Sequence, residues 1–161
     1  MKMLYLHRHA KAVKDGYEHD ISRSLKPSGI EDAHRMGRYL HQRRFQADAV
    51  IASPASRAQQ TARLLTEHTR EPLRTDARLY GNGEAGLLQV LRELPESVAA
   101  VRLVGHNPDL EDLAAALCGF RPGAIHLPTC GVLCIQCGAG PWTALSDGGC
   151  TLEWHLGPAQ L

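Results

Sequence analysis

Apolar residues along this chain fall into two kinds of block, and their alternation predicts the fold. Short unbroken runs at Met3–Leu6, Ala47–Ala52 and Val98–Val104, each closed by polar residues, read as buried strands. Between them apolar residues recur at intervals of three and four, the period of a helix face. Ile30, Ala33, Gly37 and Leu40 predict a helix opened by Pro27-Ser28. Ala55, Ala58, Ala62 and Leu65 predict a second, with Ser53 as its N-cap and Pro54 at its first position. Leu87, Val90, Leu91 and Leu94 predict a third, preceded by a glycine-rich loop at Gly81–Gly86 and stopped by Pro95. Leu110, Leu113, Ala114 and Leu117 predict a fourth, capped by Asn107 with Pro108 following. Beyond residue 118 the character changes, and Gly131–Gln136 and Thr151–Leu156 read as strands separated by Gly-Pro and Gly-Gly turns.

Strands alternating with helices imply βαβ units and a mostly parallel sheet covered on both faces, an α/β/α sandwich. The C-terminal pair reads as a mixed or edge addition. The chain has 161 residues, enough for one domain spanning 1–161. Lys plus Arg total 18 against 17 for Asp plus Glu, a net charge of +1, which argues against a nucleic-acid partner but leaves room for a local basic pocket. No stretch reads as a signal peptide or reaches the ~18 apolar residues of a membrane span, so a cytoplasmic protein without a membrane partner is expected. Five cysteines at irregular spacing make a poor disulfide framework and fit reduced thiols.

In an open parallel sheet, ligands bind beyond the carboxyl ends of the strands. Three segments follow expected parallel strands: His7-Arg8-His9-Ala10, Ser53 to Arg57, and Gly105-His106-Asn107. They bring two arginines and at least two histidines to one rim, but neither a serine–histidine pair nor paired carboxylates. Arginine grips phosphate oxygens in a bidentate fork. A helix opening near Pro54 adds backbone N–H groups and the positive end of its dipole. A neutral imidazole beside such an anion hole is a competent nucleophile, here His9. Arg8, Arg57 and a protonated His106 would stabilise charge on a phosphoryl group in transfer, with no need of a metal or other cofactor.

The segment Leu6-His7-Arg8-His9-Ala10 resembles the RHG/RHA signature of the histidine phosphatase superfamily, the phosphoglycerate mutase-like fold. Ser53 to Ala62, SPASRAQQTA, is similar to its second block, and Val104-Gly105-His106-Asn107 to its third. Asp20 to Gly29, DISRSLKPSG, is similar to the D-x-x-R-x-L-T-x-x-G stretch, with Lys26 where threonine is usual. The short chain, without the long insertions of the mutases, most resembles the SixA-type phosphohistidine phosphatases. The resemblance implies that His9 is the nucleophile and forms a phosphohistidine intermediate, and that Arg8, Arg57 and His106 hold the phosphoryl group. Arg23, near the pocket mouth, and Asn107, beside the second histidine, are further candidates for binding the substrate.

In phosphoester-cleaving relatives a carboxylate serves as general acid after a D-x-x-L segment. Here Asp76-Ala77-Arg78-Leu79 fits that segment, the acid position falls on Gly81, and Glu84 is the nearest carboxylate. An alkoxide leaving group needs a proton, whereas imidazole is a far weaker base. The missing acid therefore points to a phosphohistidine-bearing protein as substrate. A small phosphorylated molecule, cleaved with Glu84 as acid, is the alternative. A phospho-ligand binding module without turnover is a third reading. Other readings weigh less. His7-x-His9 also opens metal-dependent amidohydrolases, but those need a barrel of ~250 residues. Cys130-x₃-Cys134-x₂-Cys137 lacks the paired spacing of structural zinc sites, and on a strand Cys130 and Cys134 would share a face while Cys137 points away.

Overall fold

The computed structural model describes residues 1–161: six strands in one sheet, four α-helices and four single turns of 3₁₀ helix. In chain order the elements are β1 (Met3–Arg8), α1 (Pro27–Gln42), β2 (Ala49–Ala52), α2 (Ser56–Leu65), β3 (Leu73–Thr75), α3 (Gly83–Arg92), β4 (Ala100–Gly105), α4 (Asp109–Cys118), β5 (Val132–Gln136) and β6 (Thr151–Leu156). Their order across the sheet is β3-β2-β4-β1-β5-β6. The first four are parallel, and β5 pairs antiparallel with both β1 and β6. Only β6 of the C-terminal pair is an edge. β5 lies inside the sheet, which is why its residues Val132 to Ile135 are buried on both faces.

Strand alternation sorts the core into two layers. Leu4, Leu6, Ile51, Val101, Leu103, Leu133 and Ile135 pack with Leu87, Val90 and Leu91 of α3 and Leu110, Leu113 and Leu117 of α4. Tyr5, Val50, Ala52, Val104, Val132 and Cys134 pack on the other face with Ala33, Met36 and Leu40 of α1 and Ala58, Ala62 and Leu65 of α2. The result is the expected α/β/α sandwich. Cys130 and Cys134 share the second face while Cys137 packs against the first, as strand alternation predicts. Burial pushes the Cys134 thiol up to about 11 and Cys130 up to about 12, so these behave as small apolar groups.

Several boundaries move. β1 runs two residues past Leu6, because His7 and Arg8 stay in register with Val104 and Gly105 of β4. β3 has no counterpart in the hydrophobic pattern, since its three residues are an exposed edge. α2 begins at Ser56, so Ser53 and Pro54 precede it and its N-cap position is Ala55. α4 begins at Asp109 rather than at Pro108. α3 begins at Gly83, not Leu87: the chain turns through left-handed Gly81 and Gly83, and the expected loop closes into helix. Gly29 in the first turn of α1 is dictated by proximity, because a Cβ there would meet the Lys11 carbonyl oxygen at 2.2 Å.

Candidate active site

The strand order places the carboxyl ends of β2, β4 and β1 side by side, and the three motif segments leave the sheet there. Backbone bonds register them. The His9 N–H donates to the Gly105 carbonyl at 3.1 Å, and the Ser53 N–H to the Val104 carbonyl at 2.9 Å. The second motif does more than deliver Arg57. Thr61 Oγ1 accepts from the Ala10 N–H at 3.0 Å, and Gln60 Oε1 accepts from the Leu25 N–H at 2.7 Å. Both residues of α2 therefore tie the segments carrying His9 and Arg23 to the helix that carries Arg57.

Arg8, His9, Arg23, Arg57, His106 and Asn107 line one open cleft of about 470 Å³. That is room for a phosphoryl group with a small leaving group attached. His9 and His106 face each other with ring centroids 5.3 Å apart. The Nδ1–H of His9 donates to the Ala10 carbonyl at 2.7 Å, which leaves the lone pair on Nε2. Burial, reinforced by Arg57 and Arg8, lowers the His9 pKa to about 4, so the ring is neutral at pH 7.

His106 departs from expectation. Its Nε2–H donates to Ser53 Oγ at 2.8 Å and its Nδ1 accepts from Arg57 at 3.5 Å. Burial, His9 and Arg57 lower its pKa to about 3, so without an anion the ring is neutral rather than protonated. Ser53, read from sequence as a helix cap, instead orients this histidine.

Arg57 is 5% exposed and is held by the main-chain and side-chain oxygens of Asp20, at 2.8 and 3.0 Å. Arg23 donates to the same carboxylate at 3.0 Å and Tyr80 at 2.7 Å. These donors, Tyr80 foremost, hold the Asp20 carboxyl well below the usual range. Arg8 donates to the Leu127 carbonyl at 3.1 Å, and Asn107 Nδ2 donates to that same oxygen at 2.9 Å. Asn107 thus fastens the loop before β5 to the rim. Arg8 Nε and Arg57 Nε are buried and have no partner within the protein. Buried orphan donors cost roughly 1–3 kcal/mol each.

The structure sets Glu84 apart from the other expected site residues. Glu84 lies in the exposed first turn of α3 and does not line the cleft. The carboxylates that do are Asp20 and Asp109, together with Tyr80 and Gly81. Asp20 was marked by the D-x-x-R stretch, but its role as a clamp depends on Tyr80, sixty residues away. Asp109 carried no signal beyond its place three residues after His106.

The histidine phosphatase superfamily (branch 1) matches residues 4–84. The chain belongs to that superfamily. An uncharacterized Mycobacterium tuberculosis protein is 32% identical over 150 residues, spanning 88% of this chain and 92% of that one. The phosphohistidine phosphatase SixA of Escherichia coli K12 is 26% identical over 165 residues, spanning 98% and 95%. A structure assigned as phosphohistidine phosphatase SixA from Nakamurella multipartitia superposes with a TM-score of 0.82 at 25% identity, covering 98% of this chain and 96% of that one. The fold is thus the phosphoglycerate mutase-like one expected, and this histidine phosphatase has SixA proteins among its relatives in sequence and structure. No helix is long and apolar enough to cross a membrane.

Proposed function

We propose that this histidine phosphatase removes phosphoryl groups from phosphohistidine on a phosphotransfer protein, using His9 as nucleophile. The observation that carries the reading is the free Nε2 of a neutral His9 in a cleft walled by Arg8, Arg57 and His106. Nε2 attacks phosphorus, the bond to the leaving nitrogen breaks, and water then hydrolyses the His9–phosphoryl bond. The guanidinium groups of Arg8 and Arg57, both lining the cleft, meet the equatorial oxygens. An arriving dianion offsets the nearby positive charge, so His106 takes up a proton as the anion binds. Arg23, clamped on Asp20, guides the anion at the mouth. Two guanidinium groups and an imidazolium neutralise the developing charge, so turnover needs no metal and withstands a chelator.

The likeness to SixA proteins favours the phosphohistidine substrate. The test is phosphate release from a histidine-phosphorylated phosphotransfer protein, with acid-labile, alkali-stable label trapped on the enzyme. Wild type releases phosphate and carries the label, and His9→Ala does neither. Equal release by both proteins, or release by neither, overturns the reading.

A further inference from the structure

Two carboxylates share the cleft, and their surroundings push them in opposite directions. Asp20 accepts from Arg57, Arg23 and Tyr80 and stays ionised. Asp109 has no ion pair and no hydrogen-bonded side-chain partner, although it lines the same cleft as His9 and His106. We propose that Asp109 is a proton donor to the leaving group, which extends this site from phosphohistidine to phosphomonoesters; the proposal rests on His9 as nucleophile.

Burial, then the neighbouring Asp112, raises the Asp109 carboxyl above its ordinary value. Two influences oppose the rise: the Gly83 backbone N–H and the N-terminus of α4, where Asp109 is the first residue. Asp112 and Glu111 follow on its own helix, and Glu84 lies in the first turn of α3. The same cleft holds Arg8, Arg57 and Arg23, with Asp20 offsetting the last two and both histidines neutral at pH 7. Carboxylates driven apart in this way divide acid and electrostatic duties between them. Here the clamped one orients cations and the isolated one can arrive protonated. A phosphoryl dianion entering the cleft disfavours an ionised Asp109 further.

The step balances. Nε2 of His9 forms the bond to phosphorus, the P–O bond of the ester breaks, and the Asp109 carboxyl proton passes to the departing oxygen. The carboxylate left behind then takes a proton from the attacking water as the phosphoryl leaves His9. A basic alkoxide or phenolate requires that proton, while a carboxylate leaving group does not.

Phenyl phosphate and acetyl phosphate separate the two cases, with leaving groups resembling tyrosine and glutamate side chains, of pKa about 10 and about 4. Asp109→Asn is expected to lower kcat on phenyl phosphate by roughly 10²–10⁴-fold and to leave acetyl phosphate within a few-fold. With wild type, the phenyl phosphate rate falls as pH rises through the Asp109 pKa, and this limb vanishes in the variant. Asp109→Glu restores part of the rate, and Asp109→Ser, compatible with a helix start, repeats the Asn result. Equal losses on both substrates, or none on either, overturn Asp109 as the donor. Rapid-quench labelling of His9 by acetyl phosphate is read in the same samples. Its absence from wild type overturns the nucleophile, a result distinct from failure of the acid.

Discussion

Two clusters of arginine and histidine are built on the same strands, and they differ in one respect. In the first, Arg102 of β4 is 2% exposed beneath the sheet. Its Nε and Nη2 donate to the two oxygens of Glu71 at 3.1 Å each, Nη2 also donates to the Phe45 carbonyl, and Nη1 donates to Nε2 of His7 at 3.2 Å. The guanidinium lies over the Tyr5 ring at 4.8 Å. Burial and Arg102 drive the His7 pKa well below its usual value, so that ring stays neutral. Every nitrogen of the Arg102 guanidinium has a partner. In the second cluster, whose residues line the cleft, Arg8 and Arg57 keep buried Nε donors with no partner, and His9 keeps a free ring nitrogen. Residue type does not separate structure from function here. Satisfaction does: the first guanidinium has a partner at every nitrogen, and the second cluster keeps buried donors unpaired.

Mutations at the two clusters should therefore fail differently. The largest effect is at His9. His9→Ala is expected to lower turnover by roughly 10⁶-fold, the scale of removing a covalent nucleophile, with Tm nearly unchanged; steady-state rates and a thermal melt check both halves. Next, Arg57→Ala is expected to cost about 10³-fold in kcat or more and to weaken inorganic phosphate binding measured by calorimetry. At the structural cluster the balance reverses. Glu71→Ala leaves Arg102 buried without its carboxylate and should destabilise by about 3–5 kcal/mol, lowering Tm by roughly 6–20 °C. Activity per folded molecule should hold at temperatures well below the melt. An equal loss of turnover would merge two clusters that are separated here.

Acid sharpens the comparison from another side. Folded His9 and His106 have pKa values of about 4 and about 3, and His7 is also lowered, against 6.5 for the unfolded ring. Below 6.5 the unfolded chain binds more protons than the folded one, so stability falls as pH drops from 6.5 toward 3. Melts across that range should show the decline. Saturating phosphate should reduce the share due to His9 and His106 but not that of His7, which lies outside the cleft. The smallest effect is at Thr61. Thr61→Val leaves the buried Ala10 N–H unpaired, at about 1–3 kcal/mol in a denaturant titration. It should also lower kcat, because the Ala10 carbonyl holds His9.

Much of this was readable from the chain alone. Helix and strand periods gave the layers, because each helix buries one stripe and each interior strand a continuous run. The residues proposed to act, Arg8, His9, Arg57 and His106, were readable because they sit at or just past the ends of β1 and β4, or in the first turn of α2 after β2. The pairing partners were not. Asp20 meets Tyr80 and Arg57, Ser53 meets His106, and Asp109 joins a wall shared with His9, all through distances between segments that local pattern does not encode.

The amino-acid order by itself determined which arginines and histidines emerge together at one end of the sheet, since that follows from strand and helix periods. Only the tertiary structure decided which guanidinium donors remain unpaired, which imidazole is buried in a network, and which carboxylate is free of cations. Those are properties of neighbours in space. Burial and hydrogen bonding set them, and both arise only once the sheet has closed against its helices.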